Sequence, residues 1–332
     1  MKIQHKLLLS IFSILLFSCT DSNYITDIGS IFGTTYLVKY QYQSDCGEEI
    51  HAQLVKLDNI YSTFKDSSTI SKINKNISMC AEPELIRMLR SAHHISELTN
   101  GYYDITCAPL VNAWGFGFKK REGMSQEKID SLLQFVGYKS ITIEDEKIIK
   151  NDPRIMIDLS SIAKGYACDY IADFLASKGI VNYMVEIGGE VRAKGINQKE
   201  QTWKIGINKP AYDVMGLMSE IQDIVEIDGG AVATSGNYRN FYVKDGKRYS
   251  HTINPITGYP AENNLLSVSV YYSNCMMADA YATAFMSLGG NKAVELAENI
   301  DSLEAYFIFA GENDDEHKVI KTSGFDKYIV SK

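Results

Sequence analysis

The sequence predicts an α+β fold. Three observations lead there. Segments of helical spacing and short alternating segments are interleaved without a regular βαβ rhythm, Asp245-Gly246 signals an antiparallel hairpin, and no internal repeat or long linker divides the chain. Thr34 to Gln43 alternates, with Tyr36, Val38, Tyr40 and Tyr42 on one side, as in a half-buried strand. Glu48 to Tyr61 places Ile50, Leu54, Leu57 and Tyr61 at helical spacing. Pro83 opens a second helix with Leu85, Leu89, Ala92 and Ile95 inward, closed by Asn100-Gly101. A third helix runs from about Ser161 to Ser177, with Ile162, Tyr166, Tyr170 and Phe174 on one face and Gly179 as its stop.

Beyond Gly179 the pattern turns to strands: Tyr183 to Ala193, Trp203 to Asn208, Asp223 to Ile227 and Tyr238 to Lys244. Leu266 to Tyr272 alternates again before a helix from about Met276 to Leu288, which Gly289-Gly290 ends. Ala305 to Phe309 and Lys327 to Val330 are expected as closing strands around a charged turn at Glu312 to Glu316.

Composition narrows the function. In 332 residues, 45% apolar and 22% charged argue for a folded chain, and 33 Lys+Arg against 41 Asp+Glu, without a basic run, argue against a nucleic-acid partner. At the start, Lys2 and Lys6 precede an apolar run from Leu7 to Phe17 that is too short to span a bilayer, which takes roughly 20 residues. This is a secretory signal pattern. Its Leu16-Phe17-Ser18-Cys19 ending resembles a bacterial lipoprotein signal, which implies removal of residues 1–18 and a lipidated, palmitate-bearing Cys19 at the start of the mature chain. Residues 19–30 then read as a tether. Cys46, Cys80, Cys107, Cys168 and Cys275 remain, with no CxxC pair, and no disulfide is assigned. Cys107, Cys168 and Cys275 sit among apolar neighbours and read as small buried hydrophobes.

No Walker loop, GxGxxG, HExxH or GxSxG occurs. Four segments carry more polar detail than packing requires. Asp158 to Gly165 runs from a strand end into a helix start, where free amides and Lys164 would attract a phosphate; a plain Ser160 or Ser161 cap is the alternative. Asp279 and Thr283, four apart on an apolar helix, suit a hard cation such as Mg²⁺, or simply bond each other. His251 lies at a strand-to-turn junction, fit for a general base or for a structural hydrogen bond. Gly101 to Gly117, with Tyr102, Tyr103, Asp104 and Trp114, borders a flat ring or fills an aromatic core.

Together these segments resemble the ApbE family of flavin transferases. The likeness runs in order through Phe32-Gly33-Thr34-Thr35-Tyr36, Ser62-Thr63-Phe64, Gly101 to Gly117 and Asp158 to Gly165. It continues through Glu186-Ile187-Gly188-Gly189-Glu190, Thr234 to Tyr238, Ser250 to Gly258 and Asp279 to Thr283. The resemblance implies one large domain, 31–332, of mixed, largely antiparallel sheets with packed helices. It implies Mg²⁺-dependent transfer of FMN from FAD to a Thr or Ser hydroxyl of an exported client, such as a membrane redox-complex subunit, with release of AMP. Contacts to FAD would then fall to Phe32, Phe64, Tyr102, Tyr103, Asp104, Asp158, Lys164 and Ile253. The metal would fall to Asp279 and Thr283 side chains with Ser161 and Ala282 backbone oxygens, and the base to His251. Phe32 replaces the family's usual Met, and Phe64 its commoner Tyr. The location implied is the bacterial cell envelope, lipid-anchored, with the catalytic domain outside the cytoplasm, on the periplasmic side. The alternatives are an FAD pyrophosphatase yielding FMN and AMP and a non-catalytic flavin-binding lipoprotein.

Overall fold

A computed structural model describes residues 23–330, apart from 118–122, 211–219, 238–240, 245–246, 262 and 313–315. The signal segment, Cys19, Tyr238 and the Asp245-Gly246 turn lie outside the described residues.

Alternation in the N-terminal stretch extends further than its hydrophobicity suggests. Residues 19–30 were expected as a tether, but Tyr24–Ile31 forms β1, paired antiparallel with β2 (Thr34–Gln41) from Tyr24↔Gln41 to Ile31↔Thr34. The physical reason is the two-residue turn between them: Phe32 and Gly33 both adopt positive φ, 54° and 74°, which matches the twist of a hairpin. The helices α1 (Gly47–Tyr61), α2 (Thr69–Asn74), α3 (Pro83–Leu98), α4 (Ala108–Trp114) and α5 (Gln126–Leu133) follow, then a small hairpin of β3 (Ile141–Glu144) and β4 (Lys147–Lys150). The residues read as inward on α1 and α3 are buried.

After α6 (Ala163–Ser177), the single strand expected from Tyr183 to Ala193 is two: β5 (Tyr183–Ile187) and β6 (Glu190–Lys194). Gly188 and Gly189, at φ 62° and 104°, fold one back on the other in a conformation few other residues adopt. Next come β7 (Trp203–Asn208), β8 (Ile221–Ile227), β9 (Gly230–Gly236), β10 (Phe241–Lys244), β11 (Lys247–Ser250) and β12 (Leu265–Tyr272). The chain closes with α7 (Cys275–Leu288), α8 (Gly290–Glu298), β13 (Glu304–Ala310) and β14 (His317–Lys321). The strand expected at Lys327 to Val330 is reduced to a single antiparallel bridge, Ile329 to Val225 of β8. Phe325–Tyr328 is a 3-10 turn that buries Phe325, and His317–Lys321 pairs with β13 in its place.

Among the described residues, one eight-stranded sheet of order β1-β2-β5-β6-β9-β12-β13-β14 organises the molecule, antiparallel at every junction. Both faces are covered. One carries α1, α3, α6 and α7 over a core that includes Val38, Leu54, Leu89, Ile171, Val268 and Phe285. The other packs Val191, Val232 and Ile308 against Trp203, Ile207 and Val225 of the β7–β8 hairpin. Burial on both faces explains why β12 is buried from Leu265 to Val270 and hides even Ser267 and Ser269. No helix among the described residues is long and apolar enough to cross a membrane.

Candidate active site

Helix α7 is apolar nearly all round, as a helix wedged between sheet and helices must be. Its exceptions are aligned. Asp279, Thr283 and Ser287, each four apart, lie on one stripe, and all three line a cleft of about 850 Å³. Asn274 starts the helix by accepting the Met277 N–H at 3.0 Å, and Asp169 of α6 accepts the N–H groups of Cys275 and Met276, both at 2.9 Å. Asp169 also pairs with Arg192 at 2.9 Å. The start of α7 is therefore bolted to α6 and β6. Gly165 completes the join: a Cβ there would stand 2.3 Å from the Cys275 carbonyl oxygen, so the two helices touch backbone to backbone.

This contact sets the chemistry. Gly165 N–H donates to Asp279 Oδ2 at 3.0 Å, and Lys164 Nζ lies 3.8 Å from Asp279 Oδ1 and 2.8 Å from Glu190 Oε1. Burial alone would pull the Lys164 ammonium down; Asp279 and Glu190 outweigh it and hold it above the usual lysine range. Glu190 is also raised, because burial outweighs the pull of Lys164 on its carboxyl. The helix start itself offers less to an anion than the sequence suggests. Helix α6 begins at Ala163 rather than near Ser161, the Ala163 N–H donates to Leu159 O, and the Gly165 N–H is taken by Asp279. Positive charge for a phosphate comes from Lys164, and Lys39 and Lys204 also line the cleft.

The opposite wall is held by a separate small core. Leu110, Trp114, Ile129 and Ile253 pack together, and Trp114 Nε1 donates to Gly258 O at 2.8 Å. That clamp fixes the segment after β11, so His251 reaches the cleft with the Phe116 ring edge-on at 6.4 Å. Thr252 donates to Asn237 Oδ1 at 2.9 Å within the same wall.

The cleft gathers Phe64, Tyr102, Tyr103, Asp104, Asp158, Ser161, Lys164, His251, Ile253, Asp279 and Thr283. Phe32 and Ala282 are the two exceptions among the residues singled out from sequence. The Phe32 ring packs on Tyr61 at 5.2 Å, and Ala282 is buried within α7. Asp104 is largely occupied: it accepts from Thr106 N–H, Thr106 hydroxyl and Tyr138 N–H at 2.8, 2.6 and 2.6 Å, and burial still raises its carboxyl. Ser161 donates to the Tyr103 hydroxyl at 2.9 Å, and Asp158 accepts the Ser160 N–H at 2.8 Å. Phe64 stands 79% exposed at the mouth. The cysteines read as buried divide: Cys168 and Cys275 are, whereas half-buried Cys107 lines the cleft, and all five described cysteines are free thiols.

Sequence reasoning missed Glu190, Ser235 and Ser287 as site residues. Ser287 continues the four-residue spacing of Asp279 and Thr283. Ser235, 3.2 Å from the Thr283 hydroxyl, comes from β9, whose Gly, Ala, Ser and Thr residues carry no strand-like periodicity. Around Asp279 the donors are a carboxylate and hydroxyls, oxygen only, and no group of three or more His, Cys, Asp or Glu able to hold a metal occurs among the described residues. Such a set fits a hard cation that keeps waters and shares ligand phosphates, as Mg²⁺ does, and fits zinc poorly.

Residues 32–307 match the model of the ApbE family. The chain belongs to the ApbE family. Among ApbE relatives, the FAD:protein FMN transferase of Vibrio cholerae is 36% identical over 312 residues, 91% of each chain. That of Escherichia coli K12 is 34% identical over 293 residues, 86% of this chain and 82% of the other. The solved flavin transferase ApbE from Vibrio cholerae superposes with a TM-score of 0.82 at 35% identity, over 92% of this chain and 99% of that one. The ApbE protein of Thermotoga maritima gives 0.81 at 26% identity, over 93% and 100%.

Proposed function

We propose that this chain transfers the FMN half of FAD to a Thr or Ser hydroxyl of a client protein. The observation that carries the reading is the meeting of Lys164, Asp279, Thr283 and His251, from distant stretches of sequence, in one cleft large enough for a dinucleotide. The names of the relatives, FAD:protein FMN transferases, support it.

The client hydroxyl oxygen attacks the FMN-side phosphorus of FAD. The bond between that phosphorus and the bridging oxygen breaks, AMP departs with the electron pair, and the hydroxyl proton passes to a ring nitrogen of His251. Lys164 holds positive charge against the pyrophosphate, and Tyr102, Tyr103 and Phe64 offer aromatic surface to the flavin or adenine. Asp279 and Thr283, with the carbonyls of Ser161 and Ala282, would hold Mg²⁺, which when bound neutralises charge on the pyrophosphate oxygens. No redox change occurs.

The decisive measurement is intact-protein mass spectrometry of candidate exported proteins after reaction with FAD and Mg²⁺. A gain of one FMN on a Thr or Ser supports transfer; rapid AMP release without a client and without adduct overturns it in favour of hydrolysis. Asp279→Ala is expected to abolish Mg²⁺-dependent transfer, and transfer unchanged by metal removal and return in that variant would sink the metal assignment. His251→Ala should lose turnover and retain FAD.

The same reading puts the enzyme in the cell envelope, anchored through Cys19 and acting outside the cytoplasm on exported, membrane-associated clients. Its support is the pattern of Lys2, Lys6, Leu7 to Phe17 and Leu16-Phe17-Ser18-Cys19. Cys19→Ser should shift the protein from the membrane fraction to the soluble fraction; unchanged membrane retention contradicts the anchor.

A further inference from the structure

Glu190 is a carboxylate of the cleft floor to which the reaction above gives no task. It opens β6 directly after the Gly188-Gly189 turn, and its side chain is 4% exposed. Oε1 meets Lys164 Nζ at 2.8 Å, whereas Oε2 is buried and has no hydrogen-bond partner among the described residues. An orphaned carboxylate oxygen in a buried site is costly, so its retention calls for a reason.

Lys164 supplies one. Its ammonium stands between two carboxylates, in charge-assisted hydrogen-bond contact with Glu190 and beyond hydrogen-bond reach of Asp279 at 3.8 Å. On Asp279, Oδ2 is already engaged by the Gly165 N–H, which leaves Oδ1 as the oxygen facing Lys164. About 1 Å of ammonium travel would turn that approach into a direct ion pair and block this oxygen.

We infer that Glu190 is a positioning residue: it holds the Lys164 ammonium off Asp279, so that Asp279 Oδ1 stays open to a divalent cation. The carboxyl turns Oε1 to Lys164 and leaves Oε2 unclaimed. The inference rests on the reading of Asp279 as a cation ligand.

Mn²⁺ binding to the purified protein, followed by the electron paramagnetic resonance of free Mn²⁺, tests it apart from turnover. Glu190→Gln, nearly equal in volume, is expected to weaken Mn²⁺ binding at least tenfold. Removing the competitor as well, in Lys164→Met/Glu190→Gln, should restore binding to within threefold of wild type, although transfer is lost with Lys164. Lys164→Met alone should bind Mn²⁺ at least as tightly as wild type, and this holds as a test even where Glu190→Gln fails to fold. Wild-type affinity in Glu190→Gln, a double variant as weak as Glu190→Gln, or weakened binding in Lys164→Met each overturns the inference. A wild-type protein that takes up no Mn²⁺ overturns the cation reading itself, and the inference with it.

Discussion

Gly165 decides the distance between the helices that carry Lys164 and Asp279. A methyl group there would meet the Cys275 carbonyl oxygen at 2.3 Å and Asp279 Cβ at 2.8 Å, and the first of these is backbone that cannot turn aside. Gly165→Ala should therefore cost ~1–3 kcal/mol by overpacking and move Asp279 out of register with Lys164. Urea unfolding and Mn²⁺ affinity both report it; wild-type values for both would show that α6 and α7 yield more easily than the geometry suggests. Asp169 is the second fastening. Asp169→Ala takes from half-buried Arg192 its 2.9 Å carboxylate partner and leaves two N–H groups of α7 without acceptors, a loss on the order of 2–4 kcal/mol. At this scale the sequence was legible where a residue's own segment displays its chemistry. Lys164 at a helix start, the Asp279/Thr283 pair and His251 before a turn all announce themselves. Glu190 does not, because its partner lies in α6 and nothing in Gly188-Gly189-Glu190 reveals that α6 passes above.

The β5–β6 hairpin shows how one element reaches the site without offering it a long side chain from its turn. Gly188 at φ 62° would, as Ala, be strained and would press its methyl toward Thr34 Cγ2 at 3.0 Å and Lys164 Cδ at 3.2 Å. Gly188→Ala is expected to destabilise the protein by ~1 kcal/mol or more and to raise the KM for FAD more than it lowers kcat, by shifting Lys164. An unaltered KM would detach the turn from the lysine. The hairpin was read as one strand because Tyr183 to Ala193 stays apolar enough to look continuous, and only the paired glycines mark the fold-back. The final strand was misread for the opposite reason: Phe325 is driven inward by its ring, and a 3-10 turn accomplishes that in four residues. Strand β9 left no trace at all, since small side chains that let α7 lie close carry no hydrophobic rhythm.

Taken as a whole, the molecule buries carboxylates on both its site and its structural joints. Burial raises the carboxyls of Asp104, Asp169 and Glu186 above the ordinary range, despite the hydrogen bonds they accept. The folded chain thus holds these protons to higher pH than the unfolded chain, whose carboxyls titrate near pH 4. Between those limits the unfolded state binds fewer protons, so stability falls as pH rises through the window and is greatest on its acid side. Melting temperatures measured from pH 7 down to 5.5 should climb or hold; a steady decline over that range contradicts the assignment. The α+β class was readable from the interleaving of patterns, and the largely antiparallel sheet arrangement from the resemblance to the ApbE family. The strand order was not, because β2 pairs with β5 and β9 with β12 across long stretches of other structure.

The Gly165 to Asp279 hydrogen bond joins residues 114 apart in the chain. Any contact of that span closes slowly, because a long loop must be ordered before the contact can reward it. A polypeptide ending before α7 has Lys164 and Glu190 but neither Asp279 nor Thr283. A chain stopped before α7 therefore lacks the pair of oxygen donors on which the proposed reaction depends, however complete the rest of its cleft.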